Sequence, residues 1–308
     1  MAKISELNIA QRISLEVLWG FAWGFAVTPY WFKFYVVAPL LDFVLRCLLR
    51  YRRRVIWENL TNSFPEKSEA ELKRIMKGYY RNLAEVFVGT MNMAHMPLKK
   101  IRRYVITPDF VEQSRHFEGS DVIVAFAHYG LWELGAFWDH LRPEWVSIGV
   151  YKPLHSTVMD CFYQRLRTTP YSYPVSKREV MRFYLRNREQ GWEGRKLAIG
   201  LIADQSAHLR PDSHWYRFLN QDTLFYDGPE QLALRYHLPV AYAYFDRTKP
   251  GVYTIRVEML YDGKEDLPKY AFTERYVRHL EQVIRKRPEL WMWSHRRWKN
   301  KRIPDEAV

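Results

Sequence analysis

The sequence predicts an α/β fold, a mixed-sheet αβα sandwich preceded by an N-terminal helical membrane anchor. Three observations carry that prediction. Short runs rich in apolar and β-branched residues, at 122–127, 145–151 and 196–203, alternate with stretches of helical periodicity. Two further alternating runs, at 239–245 and 252–260, flank Arg247-Thr248-Lys249-Pro250-Gly251, which has the composition of a hairpin turn. Residues 17–32 carry no charge at all.

In chain order, residues 1–16 read as a short, mostly polar, amphipathic lead-in. The uncharged stretch that follows makes a helix of about 24 Å, short of the roughly 30 Å hydrocarbon core of a bilayer. Pro29 and Pro39 also argue against one straight span. No basic n-region and small-residue cleavage site precede it, so it does not read as a cleaved signal peptide. An ordinary buried helix and a bitopic or monotopic anchor are both open to such a stretch. Trp19, Trp23, Tyr30, Trp31, Phe32, Phe34 and Tyr35 favour the anchor, because aromatic rings settle at headgroup depth. Arg46, Arg50, Arg52, Arg53 and Arg54 follow, and such positive charge marks the cytoplasmic side. The expected division is an anchor at 1–50 and the main domain at 51–308.

Ser68 and Glu71 form a capping-box pattern, after which Leu72, Ile75, Met76, Tyr79, Leu83 and Phe87 recur at helical spacing. The centre of the chain is 120–138, SDVIVAFAHYGLWELGAFW, where the first strand ends in His128 and a helix begins near Leu131. Within one helix, five residues would turn His128 and Glu133 about 140° apart. At a strand exit followed by the flexible Gly130, Glu133 can instead reach back to the imidazole. A carboxylate on one ring nitrogen fixes the tautomer, leaving the other free to take a proton from a hydroxyl.

The strand at 145–151 ends in Tyr151-Lys152-Pro153, and helical periodicity carrying Asp160, Arg165 and Arg167 follows. Guanidinium offers a planar fork for phosphate or an oxyanion, although a solvated helix face is equally open to either arginine alone. An amphipathic helix is expected at 177–190, and the strand at 196–203 ends in Asp204-Gln205. Gly228-Pro229 opens another helix, whose free backbone N–H groups could face an anion, though such starts are frequent without function. A last helix is expected at about 272–287.

Lys and Arg total 47 against 34 acidic residues, a net charge of +13, which implies an anionic partner. The aromatic content of 16%, with 12 Trp, favours a membrane interface over plain nucleic-acid binding. Cys47 and Cys161 form no metal spacing or disulfide framework, in keeping with a reducing compartment. The sequence has no glycine-rich phosphate loop, dinucleotide fingerprint, zinc-ligand set or nucleophile elbow. The chemistry implied therefore needs no metal or cofactor.

Three motifs together resemble a known family: His128-x4-Glu133 within HYGLWELGAF, the pair Asp204-Gln205, and a closing segment matched by Pro288, Trp293, His295, Arg296, Arg297, Trp298 and Lys299. They are similar to the late, secondary acyltransferases of bacterial lipid A biosynthesis, of the lauroyl and myristoyl transferase type. Phe218, Thr223 and Gly228 also match, whereas Asn220 stands where the family commonly has Gly. The resemblance spans most of residues 17–299 and implies the mixed sandwich of the glycerolipid acyltransferases. It implies transfer of an acyl group from an acyl carrier protein thioester to a hydroxyl of a lipid A precursor. His128 would be the base and Glu133 its orienter. Arg165, Arg167, Asp204, Gln205, Thr223, Gly228, Arg296 and Arg297 would bind substrate. The expected setting is the cytoplasmic face of the inner membrane, with no nucleic-acid partner. An acyltransferase for another membrane lipid, and a non-catalytic membrane-bound scaffold or nucleic-acid protein, are the alternative readings.

Overall fold

Seven strands form one sheet in a computed structural model that describes residues 4–211 and 213–302. In chain order the sheet strands are β1 (Val105–Ile106), β2 (Val122–Phe126), β3 (Trp145–Tyr151), β4 (Ser172–Ser176) and β5 (Lys196–Ile202). A separate hairpin, β6 (Trp215–Phe218) and β7 (Gln221–Leu224), comes next, and β8 (Val240–Lys249) and β9 (Val252–Tyr261) return to the sheet. The spatial order is β1-β9-β8-β2-β5-β3-β4. All pairings are parallel except β8 with β9, so the sheet is mixed and mostly parallel.

The strand sequences explain their placement. Along β2, Ile123 and Ala125 enter one hydrophobic cluster, and Val122, Val124 and Phe126 enter another. Side chains alternate across a pleated strand, so a strand apolar throughout must have a core on each face. Helices cover both: α1 (Ile9–Val27), α2 (Ala38–Phe43), α3 (Arg53–Ser63), α4 (Glu69–Asn92), α5 (Leu98–Tyr104), α6 (Phe110–Ser114), α7 (Trp138–Leu141), α8 (Thr157–Arg167), α9 (Val180–Asn187), α10 (Gly228–Tyr236) and α11 (Ala271–Lys286). The Ser68–Glu71 capping box opens α4 as expected. The helix expected from Leu131 is a 3-10 helix, Trp132–Phe137, continued by the single turn of α7.

The N-terminal segment does not stand apart from the domain. An Asn8–Gln11 capping box starts α1, so helix begins well before the uncharged stretch. Leu15, Ala22, Ala26, Phe34 and Ala38 lie in the same cluster as Val122, Val124 and Phe126. Arg165 of α8 pairs with Glu16 of α1 at 3.0 Å, and its guanidinium lies 4.1 Å from the centre of the Trp19 ring. Among the described residues no helix is long and apolar enough to cross a membrane. The opposite face of α1 is apolar but uncovered: Ile9, Ile13, Val17 and Phe21, spaced four apart, are all at least 60% exposed. That spacing puts them on one stripe.

Asn220 takes φ of +63° beside Leu219 at +48° between β6 and β7. Two consecutive left-handed residues make the tight turn favoured by twisted hairpins, and Asn tolerates that conformation.

Candidate active site

His128 sits two residues beyond β2 and Asp204 two residues beyond β5. The strands are parallel neighbours with Phe126 opposite Ile202, so both residues arrive at one level of the same sheet edge. Open α/β sheets bind ligands outside the carboxyl ends of their strands.

The imidazole Nδ1 lies 2.7 Å from Asp204 Oδ1. Asp204 Oδ2 accepts from the His128 backbone N–H at 2.9 Å and from Trp291 Nε1 at 2.8 Å. The carboxylate is fully buried, which by itself would raise its pKa, yet the facing His128 and these donors bring it below the ordinary value. An ionised carboxylate can only accept, so the His128 proton is on Nδ1 and the lone pair is on Nε2. The Gln205 amide Nε2 lies 3.1 Å from that lone pair. Trp132 presents an edge-to-face ring 5.0 Å away.

The backbone that delivers His128 is tied on both sides. Tyr276 donates its hydroxyl to Phe126 O at 2.8 Å, and Gly130 N–H donates to Leu290 O at 3.0 Å. Gly130 has φ of +58°, and a Cβ there would lie 2.0 Å from Phe245 O, so only glycine fits.

Glu133 does not contact the imidazole. Its carboxylate accepts from Arg167 Nε at 2.8 Å and Arg167 Nη2 at 2.6 Å, a bidentate pair from α8. The 3-10 helix turns Glu133 toward α8, and the Nδ1 position is already taken by Asp204. The orienting contact expected from Glu133 is thus made by Asp204. Glu133 is only 9% exposed, so Glu133→Ala leaves Arg167 without its partner in a largely dry site. A loss of about 1–3 kcal/mol is expected after discounting for the partial exposure of Arg167. A thermal melt should fall by several degrees, and an unchanged melting temperature would show that the pair does not hold the turn.

The other sequence-derived site residues divide. Gln205 lies against the His128 imidazole, and Arg167 is held by Glu133. Arg165 is committed to α1, because its position on the helix faces Glu16 and Trp19. Thr223 is buried, accepts from Trp298 Nε1 at 2.7 Å and donates to Gln221 O at 2.9 Å, so its hydroxyl serves the fold. Arg297 is buried beneath Phe225 and donates to Leu224 O at 2.6 Å, and its desolvation lowers its pKa to about 10. Gly228 stands exposed at the start of α10, and Arg296 is exposed. Trp291, which fixes Asp204, escaped the sequence reading.

The closing segment threads behind the site. Asn59 donates to Trp293 O at 2.8 Å and His295 O at 2.9 Å, and Trp291 and Trp293 pack edge to face at 4.7 Å. Ser206 N–H donates to His295 Nε2 at 3.2 Å, which requires a lone pair on that nitrogen. Burial, opposed in part by Asp204, drops the His295 pKa to about 4 from 6.5. The unfolded chain therefore binds the extra proton between these values, and stability must fall as pH drops through that window. Melting temperatures measured from pH 7 to pH 4.5 should decline more steeply for the natural protein than for His295→Gln; parallel curves would refute the assignment.

Residues 7–300 match the family model of the bacterial lipid A biosynthesis acyltransferases. The chain belongs to that family. Among curated proteins, no sequence match was found. Membership makes it an acyltransferase enzyme, and its mixed, mostly parallel sheet with helices on both faces is the scaffold on which the His128 cluster is built.

Proposed function

We propose that this acyltransferase moves a fatty acyl group from an acyl carrier protein thioester to a hydroxyl of a lipid A precursor, with His128 as general base and Asp204 as its orienter. The contact of His128 Nδ1 with Asp204 carries the reading. The acceptor hydroxyl displaces the Gln205 amide from Nε2, gives its proton to that nitrogen and attacks the thioester carbonyl. The C–O bond forms, the C–S bond breaks, and the proton passes from imidazolium to the departing thiolate. Asp204 stabilises the imidazolium without taking its proton. Glu133 positions the turn and Arg167; two of the arginine's five N–H donors are used on Glu133, leaving three for a substrate phosphate or the oxyanion. Arg296 is a further phosphate contact, the N–H groups at Gly228 can face an anion, and the +13 charge suits an acidic carrier protein.

The enzyme works, in this reading, from the cytoplasmic face of the inner membrane, lying on it rather than crossing it. The exposed stripe of α1 continues into Trp31, Tyr35 and Leu40, and an apolar surface of this kind beside basic residues suits an interfacial helix. Val17→Ser with Phe21→Ser should reduce co-sedimentation with anionic vesicles in moderate salt, whereas unaltered binding would move the contact elsewhere.

Acyl carrier protein thioester should be offered to purified enzyme with either a lipid A precursor or a lysophospholipid, and the products weighed by mass spectrometry. One acyl addition to the lipid A precursor is expected. Acylation confined to the lysophospholipid would replace the acceptor, and no turnover with either would remove the proposal.

A further inference from the structure

A cavity of about 570 Å³ lies where three chain segments meet away from His128. The helical segment after α1 supplies Tyr30 and Lys33, α5 supplies Lys100 and Arg103, and the β8–β9 hairpin supplies Lys249. Tyr30 fastens the first segment to the last by donating its hydroxyl to Pro250 O.

Lys33 is fully buried, with Nζ 2.8 Å from Ala26 O and 2.7 Å from Asn92 Oδ1. Lys100 Nζ reaches the same Ala26 carbonyl at 2.6 Å and His95 O at 2.7 Å. Two ammonium groups thus share one neutral oxygen, and each has a third N–H unused by these bonds. Desolvation, with mutual repulsion at Lys33, lowers both to about 8. Arg103 and Lys249 add two exposed cations at the rim. Among the described residues no carboxylate pairs with any of the four.

Capping of α1 does not account for the arrangement. The C-terminal end of a helix carries only about half a negative charge, against four formal positive charges here. Desolvated cations without a counter-charge are costly and are retained where an anion completes them. The space is also larger than a bare tetraoxyanion fills and falls in the range of organic ligands.

We infer that this pocket binds the phosphate group of an organic phosphate, with Lys33 and Lys100 at its floor and Arg103 and Lys249 closing over it. Its lining includes the exposed Val27, so a phospholipid headgroup could enter while its chains lie along the apolar surface. A free phosphate shares the same chemistry.

Isothermal titration of the full chain at fixed ionic strength tests the site, using inorganic phosphate and dihexanoyl phosphatidic acid as probes. Saturable binding of at least one probe is expected, weakened about tenfold or more in Arg103→Gln/Lys249→Gln. Both substituted side chains are at the rim, so folding should persist, and equal melting temperatures check this. His128→Ala should bind as the natural protein does, which separates this site from the acyl-transfer proposal. Tighter binding of the lipid identifies a headgroup site, and equal affinities identify a site for phosphate itself. No saturable binding of either probe, or identical affinities in the double variant, would overturn the inference.

Discussion

His128→Ala is expected to cut acyl transfer by roughly 10²- to 10⁴-fold while leaving the fold intact. The imidazole has a carboxylate behind its Nδ1 and a lone pair on Nε2, which faces the Gln205 amide. Without it, the acceptor hydroxyl must lose its proton to water. The side chain is 15% exposed and at the rim of the core, so its truncation opens little buried space. Initial rates with acyl carrier protein thioester, alongside a thermal melt, check both halves of the expectation. Near-normal turnover in a folded variant would remove His128 from the chemistry.

The second large effect should come from Asp204→Asn, a change of almost no volume. Three donors converge on this carboxylate: His128 Nδ1 on Oδ1, and the His128 backbone N–H and Trp291 Nε1 on Oδ2. An asparagine must direct its NH₂ at one side. Facing it toward the two fixed N–H donors would bury a clash of donors, whereas facing it toward Nδ1 needs only a tautomer change. The second arrangement is therefore favoured, and it moves the imidazole proton to Nε2, where the base must be empty. A loss of roughly 10²- to 10⁴-fold is expected, similar to that of removing the imidazole. Rates that remain within a few-fold of normal would mean that Asp204 serves the fold alone.

The sheet was largely legible because its strands are apolar throughout. Trp145–Tyr151 falls where the sequence places it, and β2 and β5 each end one residue earlier than expected. The strand β4 was hidden because it contains Pro174, which suits an edge position and not the interior of a sheet. The start of α1 was hidden behind polarity, although Asn8-Ile9-Ala10-Gln11 is itself a capping pattern.

The site was legible only where it is local. His128 could be set at a strand exit from its own neighbourhood. Its partner could not: the register of β2 on β5 joins positions 76 residues apart, and no spacing within the motif encodes that pairing. Glu133 looked like the orienter because it was the nearest acid in sequence. The arginine that claims it is 34 residues away on another element. Likewise Arg165 and Arg167 are two positions apart on α8, far enough around a helix for one to face α1 and the other Glu133.

A double-mutant cycle on acyl-transfer rates separates the two candidate partners of the imidazole directly. Residues that act as a unit give non-additive losses. His128→Ala/Asp204→Asn should be scarcely worse than His128→Ala, whereas adding Glu133→Ala to His128→Ala should bring a further loss of the size that Glu133→Ala causes alone. The reverse pattern, with additive losses for Asp204 and strong coupling for Glu133, would contradict the assignment of Asp204 to His128.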